Sequence, residues 1–293
     1  MNMDGVIVKA VSSFYYTACN DKIYECKARG NFRKAEVSPV VGDRVLITPT
    51  APDKGVVEKI YERKNLLKRP LIANIDKIFI VSSYKTPAPD TLMIDRMAAI
   101  AEFEDIQPVI VFNKSDMGDF SQFFEIYRKA GLKTYTVSAK NGEGIAELKK
   151  ETENCISAFA GNSGVGKSSI LNAIFGELSL KTGEVSEKLG RGRHTTRHTQ
   201  LFRFDNSLVA DTPGFAALEF CNKTELKKNL AFCFPDFADY IQGCKFANCT
   251  HTGEPGCRLV SAVKDGNVEQ SRYNSYLALY SEIKDSAEWK ERR

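Results

Sequence analysis

Apolar and polar positions fall into three regimes along the chain. Over residues 1–67 short apolar-rich stretches of strand length follow one another, at Val6–Ala10, Phe14–Ala18, Lys22–Lys27, Arg44–Thr48 and Val56–Tyr61. Turn formers divide them at Asn20-Asp21, Gly30-Asn31, Gly42-Asp43 and Pro52-Asp53. Five short strands without helical periodicity predict a small β-barrel of the OB type. From about Leu71 the pattern changes. Apolar runs of strand length recur at Lys77–Ser82, Pro108–Phe112, Lys133–Val137, Ile156–Ala160, Gln200–Phe204 and Ser207–Ala210. Segments with helical spacing lie between them, at Leu92–Phe103, Ser121–Ala130 and Ser168–Phe175. That alternation predicts an α/β unit with a mostly parallel sheet. Beyond Cys221 no strand pattern appears, and Asn267–Lys290 reads as one long or broken helix. The predicted units are therefore 1–67, 68–220 and 221–293.

Composition narrows the class. The 293 residues are 43% hydrophobic and 27% charged, which excludes a disordered chain, a collagen or a coiled-coil rod. No apolar run reaches the ~18 residues a membrane span needs. The first residues carry Asp4 and lack a basic segment followed by a long apolar core, so a cytoplasmic protein with no membrane partner is expected. Nothing suggests a coiled-coil dimer, and a monomer is expected. The net charge of +4 is unevenly spread: residues 1–70 hold 13 Lys/Arg against 8 Asp/Glu. Within the predicted barrel Phe14, Tyr15, Tyr16, Tyr24 and Phe32 are interleaved with Lys22, Lys27, Arg29, Arg33 and Lys34. Rings that stack on bases and cations that meet phosphates suit RNA, although half of these aromatics could simply fill the barrel.

The sharpest chemistry lies in the middle unit. Residues 161–168, GNSGVGKS, match G-x-x-x-x-G-K-[ST] in full, between the apolar run CISAFA and the helical SSILNAIFG. Gly161, Gly164 and Gly166 let the backbone curl, so that N–H groups from Asn162, Ser163 and Val165 through Ser169 can face phosphate oxygens. Lys167 would meet the β- and γ-phosphates, and Ser168 would hold Mg²⁺. After the run PVIVF comes NKSD: Asn113, Lys114, Ser115 and Asp116. An aspartate there accepts two hydrogen bonds from guanine, and adenine offers neither donor. Ser138, Ala139 and Lys140 follow the next strand run, where a second guanine-contacting loop belongs. Asp211 opens DTPG, 44 residues after Lys167, and Gly214 closes it. Asp211 would reach Mg²⁺ through a water, and the Gly214 amide would touch the γ-phosphate. The basic, glycine-rich loop 190–198 offers Thr195 or Thr196 as a further Mg²⁺ ligand.

A second pattern is Cys244-x4-Cys249-x-His251-x5-Cys257. Three thiolates and an imidazole within 14 residues suit tetrahedral Zn²⁺, and four protein ligands make a closed, structural site. Cys19, Cys26, Cys155, Cys221 and Cys233 lack such spacing and read as packing residues.

The order of these motifs is unusual. In ordinary GTPases the phosphate loop comes first and the guanine motifs last; here NKSD and SAK precede GNSGVGKS and DTPG. The chain thereby resembles the bacterial GTPases that depend on the small ribosomal subunit and act late in its assembly, over nearly its whole length. The resemblance implies an OB-fold, a circularly permuted GTPase domain and a zinc-binding helical domain. It also implies binding to the immature small subunit and its rRNA, with GTP hydrolysed to GDP under stimulation by the subunit. Phe215 stands where many GTPases place a water-orienting Gln. The family uses a switch-loop histidine instead; His194 matches it, with His198 as the competitor. Two alternatives stay open on the residues alone. One is a GTP-regulated protein acting on a non-ribosomal RNA. The other, a metabolic P-loop kinase, has no need of guanine selection.

Overall fold

The computed structural model describes residues 2–29, 32, 38–68, 70–85, 87–176, 199–211 and 223–291. The expected strands form with somewhat longer bounds. β1 (Met3–Val11), β2 (Phe14–Cys19), β3 (Lys22–Ala28), β4 (Arg44–Ala51) and β5 (Lys54–Ile60) run in the order β1-β2-β3-β5-β4, and β4 pairs back onto β1. The β3–β5 pairing is parallel and the others antiparallel, which closes a five-stranded barrel. Alternation decides what fills it: Ile7, Cys19, Tyr24, Cys26, Val45, Ile47 and Val57 point inward and are buried. Tyr24 is thus a core residue, although Lys22 still lies over its ring at 5.2 Å.

A short hairpin, β6 (Leu66–Lys68) with β7 (Leu71–Ala73), leads out of the barrel. Two buried asparagines tie this junction: Asn74 donates to the Gly42 carbonyl at 2.9 Å, and Asn65 to the Ile75 carbonyl at 2.8 Å. The middle unit then follows, with β8 (Lys77–Ser83), β9 (Gln107–Asn113), β10 (Lys133–Val137), β11 (Ile156–Ala160), β12 (Gln200–Phe204) and β13 (Ser207–Asp211). They lie in the order β10-β9-β8-β11-β13-β12; all pairings are parallel except β12–β13. Helices α1 (Thr91–Phe103), α2 (Ser121–Lys129), α3 (Ile145–Thr152) and α4 (Lys167–Phe175) connect them. Both faces of the sheet are covered, so β8, β9 and β11 are buried almost throughout and read as continuous apolar runs.

The barrel and this sheet do not end separately. Lys9 on β1 pairs antiparallel with Gln200 on β12, so that one eleven-stranded sheet runs through both units.

Residues 223–291 hold α5 (Lys223–Asn229), 3₁₀ turns at Leu230–Cys233 and Pro235–Phe237, α6 (Arg258–Lys264) and α7 (Gln270–Glu291). As expected, no strand occurs among them. α7 packs on α1, and Arg272 reaches across to Asp95 while also binding Asp236.

Candidate functional site

Parallel strands carry their loops to one edge of a sheet, and ligands bind beyond that edge. Here β9, β10, β11 and β13 deliver NKSD, SAK, GNSGVGKS and Asp211 to the same edge. Asn113, the last residue of β9, is 2% exposed and links three loops. Its amide nitrogen donates to the Val165 carbonyl at 2.9 Å, and its amide oxygen accepts from the Ala139 N–H at 3.2 Å. Gly166 makes room for this. Its φ is +94°, and a Cβ there would lie 2.3 Å from the Asn113 amide nitrogen.

Lys114 adopts φ +68° and donates to the Gly164 carbonyl at 2.8 Å, so it too reaches from the guanine loop to the phosphate loop. Asp116 accepts the Ser138 hydroxyl at 2.8 Å, with the Lys140 ammonium 3.7 Å from its other oxygen. The Ser138 hydrogen bond, assisted by Lys140, holds the Asp116 carboxyl below its usual range and keeps it an acceptor. Asp116 thus presents a carboxylate acceptor at this edge, with one oxygen already fixed by Ser138.

The phosphate loop is formed. α4 begins at Lys167, so Ser168 and Ser169 lie in its first turn, where backbone N–H groups are free for an anion. The Lys167 ammonium donates to the Gly161 carbonyl at 2.8 Å and the Asn162 carbonyl at 2.9 Å. Burial lowers its pKa. The carbonyls act as stand-ins for the anionic oxygens that the motif binds.

Asp211 closes β13 directly opposite Gln200 in the register. Gly214, His194, Thr195 and Thr196, with Phe215 and His198, lie outside the described residues. The structure therefore brings together the phosphate loop, both guanine loops and the Asp211 backbone. Sequence reading missed Glu143, whose carboxylate accepts the Ser115 hydroxyl at 3.1 Å.

Cys244, Cys249, His251 and Cys257 converge so that their ligand atoms all lie within 4.8 Å of one another. His251 turns Nδ1 inward, 3.6 Å from Cys244 Sγ and 3.5 Å from Cys257 Sγ. Bonds of ~2.3 Å to sulfur in a tetrahedron separate ligands by about 3.8 Å, so the set fits Zn²⁺. Neighbouring bonds hold the loop in shape. Tyr273 donates to the His251 carbonyl at 3.0 Å, and Glu254 accepts from the Thr250 and Thr252 N–H groups at 2.7 and 2.8 Å. Burial opposes ionisation of Glu254, but donors from Thr250 and Thr252 prevail and hold its pKa at about 2. One zinc ion bound here would have no open coordination position and would supply folding energy, not catalysis. Cys249→Ser is expected to lower zinc content and loosen residues 221–293 while leaving GTP binding largely intact; elemental analysis and limited proteolysis check it.

The fold and these loops define a circularly permuted P-loop GTPase, with guanine loops that precede the phosphate loop in the chain. The RsgA GTPase family model matches residues 60–221, and the RsgA N-terminal domain model matches residues 4–57. The chain belongs to the RsgA GTPase family. It is 42% identical to the small ribosomal subunit biogenesis GTPase RsgA of Geobacillus thermodenitrificans over 288 residues, covering 96% of this chain and 98% of that one. The Bacillus subtilis protein of the same name is 41% identical over 293 residues, covering 96% and 98%. Among solved structures, YjeQ from Thermotoga maritima superposes with a TM-score of 0.83 at 35% identity, covering 97% of this chain and 99% of that one. YloQ, described as a circularly permuted GTPase, gives 0.82 at 34%, covering 98% and 96%.

Proposed function

We propose that this GTPase acts in late maturation of the small ribosomal subunit, with the subunit as its activator and rRNA as part of its docking surface. The names of its relatives support the setting. The observation that carries the enzymology is the Asn113 bridge, whose bonds span 26 and 52 residues and make one nucleotide pocket of separate loops in a permuted chain. In this reading residues 1–67 dock on rRNA, residues 68–220 bind and hydrolyse GTP, and residues 221–293 form the zinc unit. The protein works in the cytoplasm as a monomer.

Each site residue then has a task. Asp116 reads the ring N–H and amine of guanine, Lys114 covers the base, and Ser138, Ala139 and Lys140 close its far side. Backbone N–H groups from Gly161 to Ser169 hold the phosphates, and Lys167 moves from two carbonyls onto the β- and γ-oxygens. Ser168 and Asp211, with Thr195 or Thr196, would hold Mg²⁺, which when bound offsets charge on the phosphate oxygens. Gly214 contacts the γ-phosphate. Phe215 offers no polar group, so His194 orients the attacking water.

Asp116→Asn should weaken GTP binding and favour xanthosine triphosphate, since an amide donates where the carboxylate accepts. Nucleotide competition measures this, and unchanged GTP affinity would remove Asp116 from the role. For the whole reading the test is GTP turnover with and without purified small subunits, with free RNA as the comparison. Strong stimulation by subunits alone is expected; equal stimulation by any RNA would overturn the ribosomal assignment.

A further inference from the structure

The loop after β10 is shaped around one exposed carboxylate. Residues 138–144 read SAKNGEG, and the chain doubles back so sharply that Ser138 and Glu143 form an isolated antiparallel bridge. The Ser138 N–H donates to the Glu143 carbonyl at 3.0 Å, and the Gly142 N–H returns to the Ser138 carbonyl at 2.8 Å. Gly144 makes the reversal possible. Its φ is +69°, and a Cβ there would meet the Thr136 carbonyl oxygen at 2.6 Å.

The reversal carries the Glu143 side chain to the other guanine loop. Its carboxylate accepts from the Ser115 hydroxyl at 3.1 Å. Ser115 immediately precedes Asp116, and Ser138 holds Asp116 at 2.8 Å. Glu143 therefore grips both neighbours of the base-reading carboxylate, one through its backbone and one through its side chain. The Asn113–Ala139 bond ties the same two loops from the buried side. On the side away from Asn113, the Ser138–Asp116 bond and the long Lys140 contact accompany the Glu143 bond.

We infer that Glu143 is a positioning residue for base selection: by tying Ser115 to the loop that carries Ser138, it fixes the Asp116 carboxylate against the ring N–H and exocyclic amine of guanine. The inference rests on the assignment of Asp116 as the base reader. It extends that assignment to a residue that touches no nucleotide itself.

The test compares GTP with ITP, which lacks the exocyclic amine. Equilibrium affinities of the full chain are measured for wild type, Glu143→Ala, Glu143→Gln, Ser115→Ala and the double alanine variant. Glu143→Ala should lose about 3- to 10-fold in GTP affinity, the range of one hydrogen bond. ITP affinity should fall less, so the GTP/ITP ratio shrinks; a loop that is merely structural would lower both equally. Glu143→Gln should restore the ratio, because its amide oxygen accepts the same hydroxyl. The double variant should be no worse than either single one. An unchanged GTP/ITP ratio in Glu143→Ala, or no rescue by Gln, overturns the inference while leaving Asp116 in place. A wild type that binds ATP as well as GTP overturns both.

Discussion

Arg272→Ala should destabilise the protein by ~3–5 kcal/mol, the cost of breaking a buried ion pair by removing one partner. The Arg272 side chain is 1% exposed, as α7 packs it against α1. Its guanidinium meets Asp95 at 2.5 Å and Asp236 at 2.7 Å, and lies 4.7 Å from the Phe234 ring centre. Two carboxylates drive its pKa upward against burial, so it stays cationic. Burial pushes the Asp95 carboxyl up, and Arg272 is the main opposing charge. Removing Arg272 leaves Asp95 fully buried without its countercharge, and it must take a proton or draw in water. Arg272→Met combined with Asp95→Asn and Asp236→Asn should recover much of the loss, since no ion is then stranded. Denaturant unfolding of the three proteins decides: a single variant within 1 kcal/mol of wild type would refute this account of the triad. Exposed pairs such as Arg128–Glu125 should matter far less, because water already solvates both ions.

His194→Ala should cut subunit-stimulated turnover by about 10²-fold, the low end for losing a positioned catalytic group. Phe215 cannot orient water, so another residue must do so, and His194 adjoins the two threonines offered to Mg²⁺. Affinity for a non-hydrolysable GTP analogue should barely change, since the role proposed for the residue is on water and not on nucleotide. Subunit binding is measured in parallel, because a basic loop also attracts RNA. Normal turnover in His194→Ala with collapse in His198→Ala moves the role to His198. Normal turnover in both variants overturns a histidine mechanism and leaves the GTPase assignment standing.

The loops of the candidate nucleotide site were legible as motifs because a phosphate loop constrains the backbone that forms it. Only certain residues permit the curl at Gly166 or offer an ammonium at Lys167, and such constraints are written locally. The strands of the parallel sheet were legible for a similar reason: burial on both faces leaves apolar runs such as Lys77–Ser83. What escaped depends on distant partners. Arg272 reads as a surface cation until α1 and the Pro235–Phe237 turn surround it. Ser115 and Glu143 read as loop residues until the chain reversal joins them. The helix Ile145–Thr152 was missed although its signal was present: Ile145, Leu148 and Thr152 lie on one buried face, with Lys149 and Lys150 in the last turn. The Lys9–Gln200 pairing had no local signature, since it joins strands 191 residues apart.

That pairing bears on why the barrel precedes the GTPase unit. An open parallel sheet has two exposed borders, each a row of backbone donors and acceptors that could capture a strand from another chain. β12 would be such a border, and β1 lies against it. At Gln200 the barrel thus covers the end of this border that lies opposite Asp211. Its own strands circle back to β1 through β4, so no new border replaces the one it covers. A fragment starting after the barrel would bare β12 next to Asp211, placing a sticky edge beside the nucleotide loops.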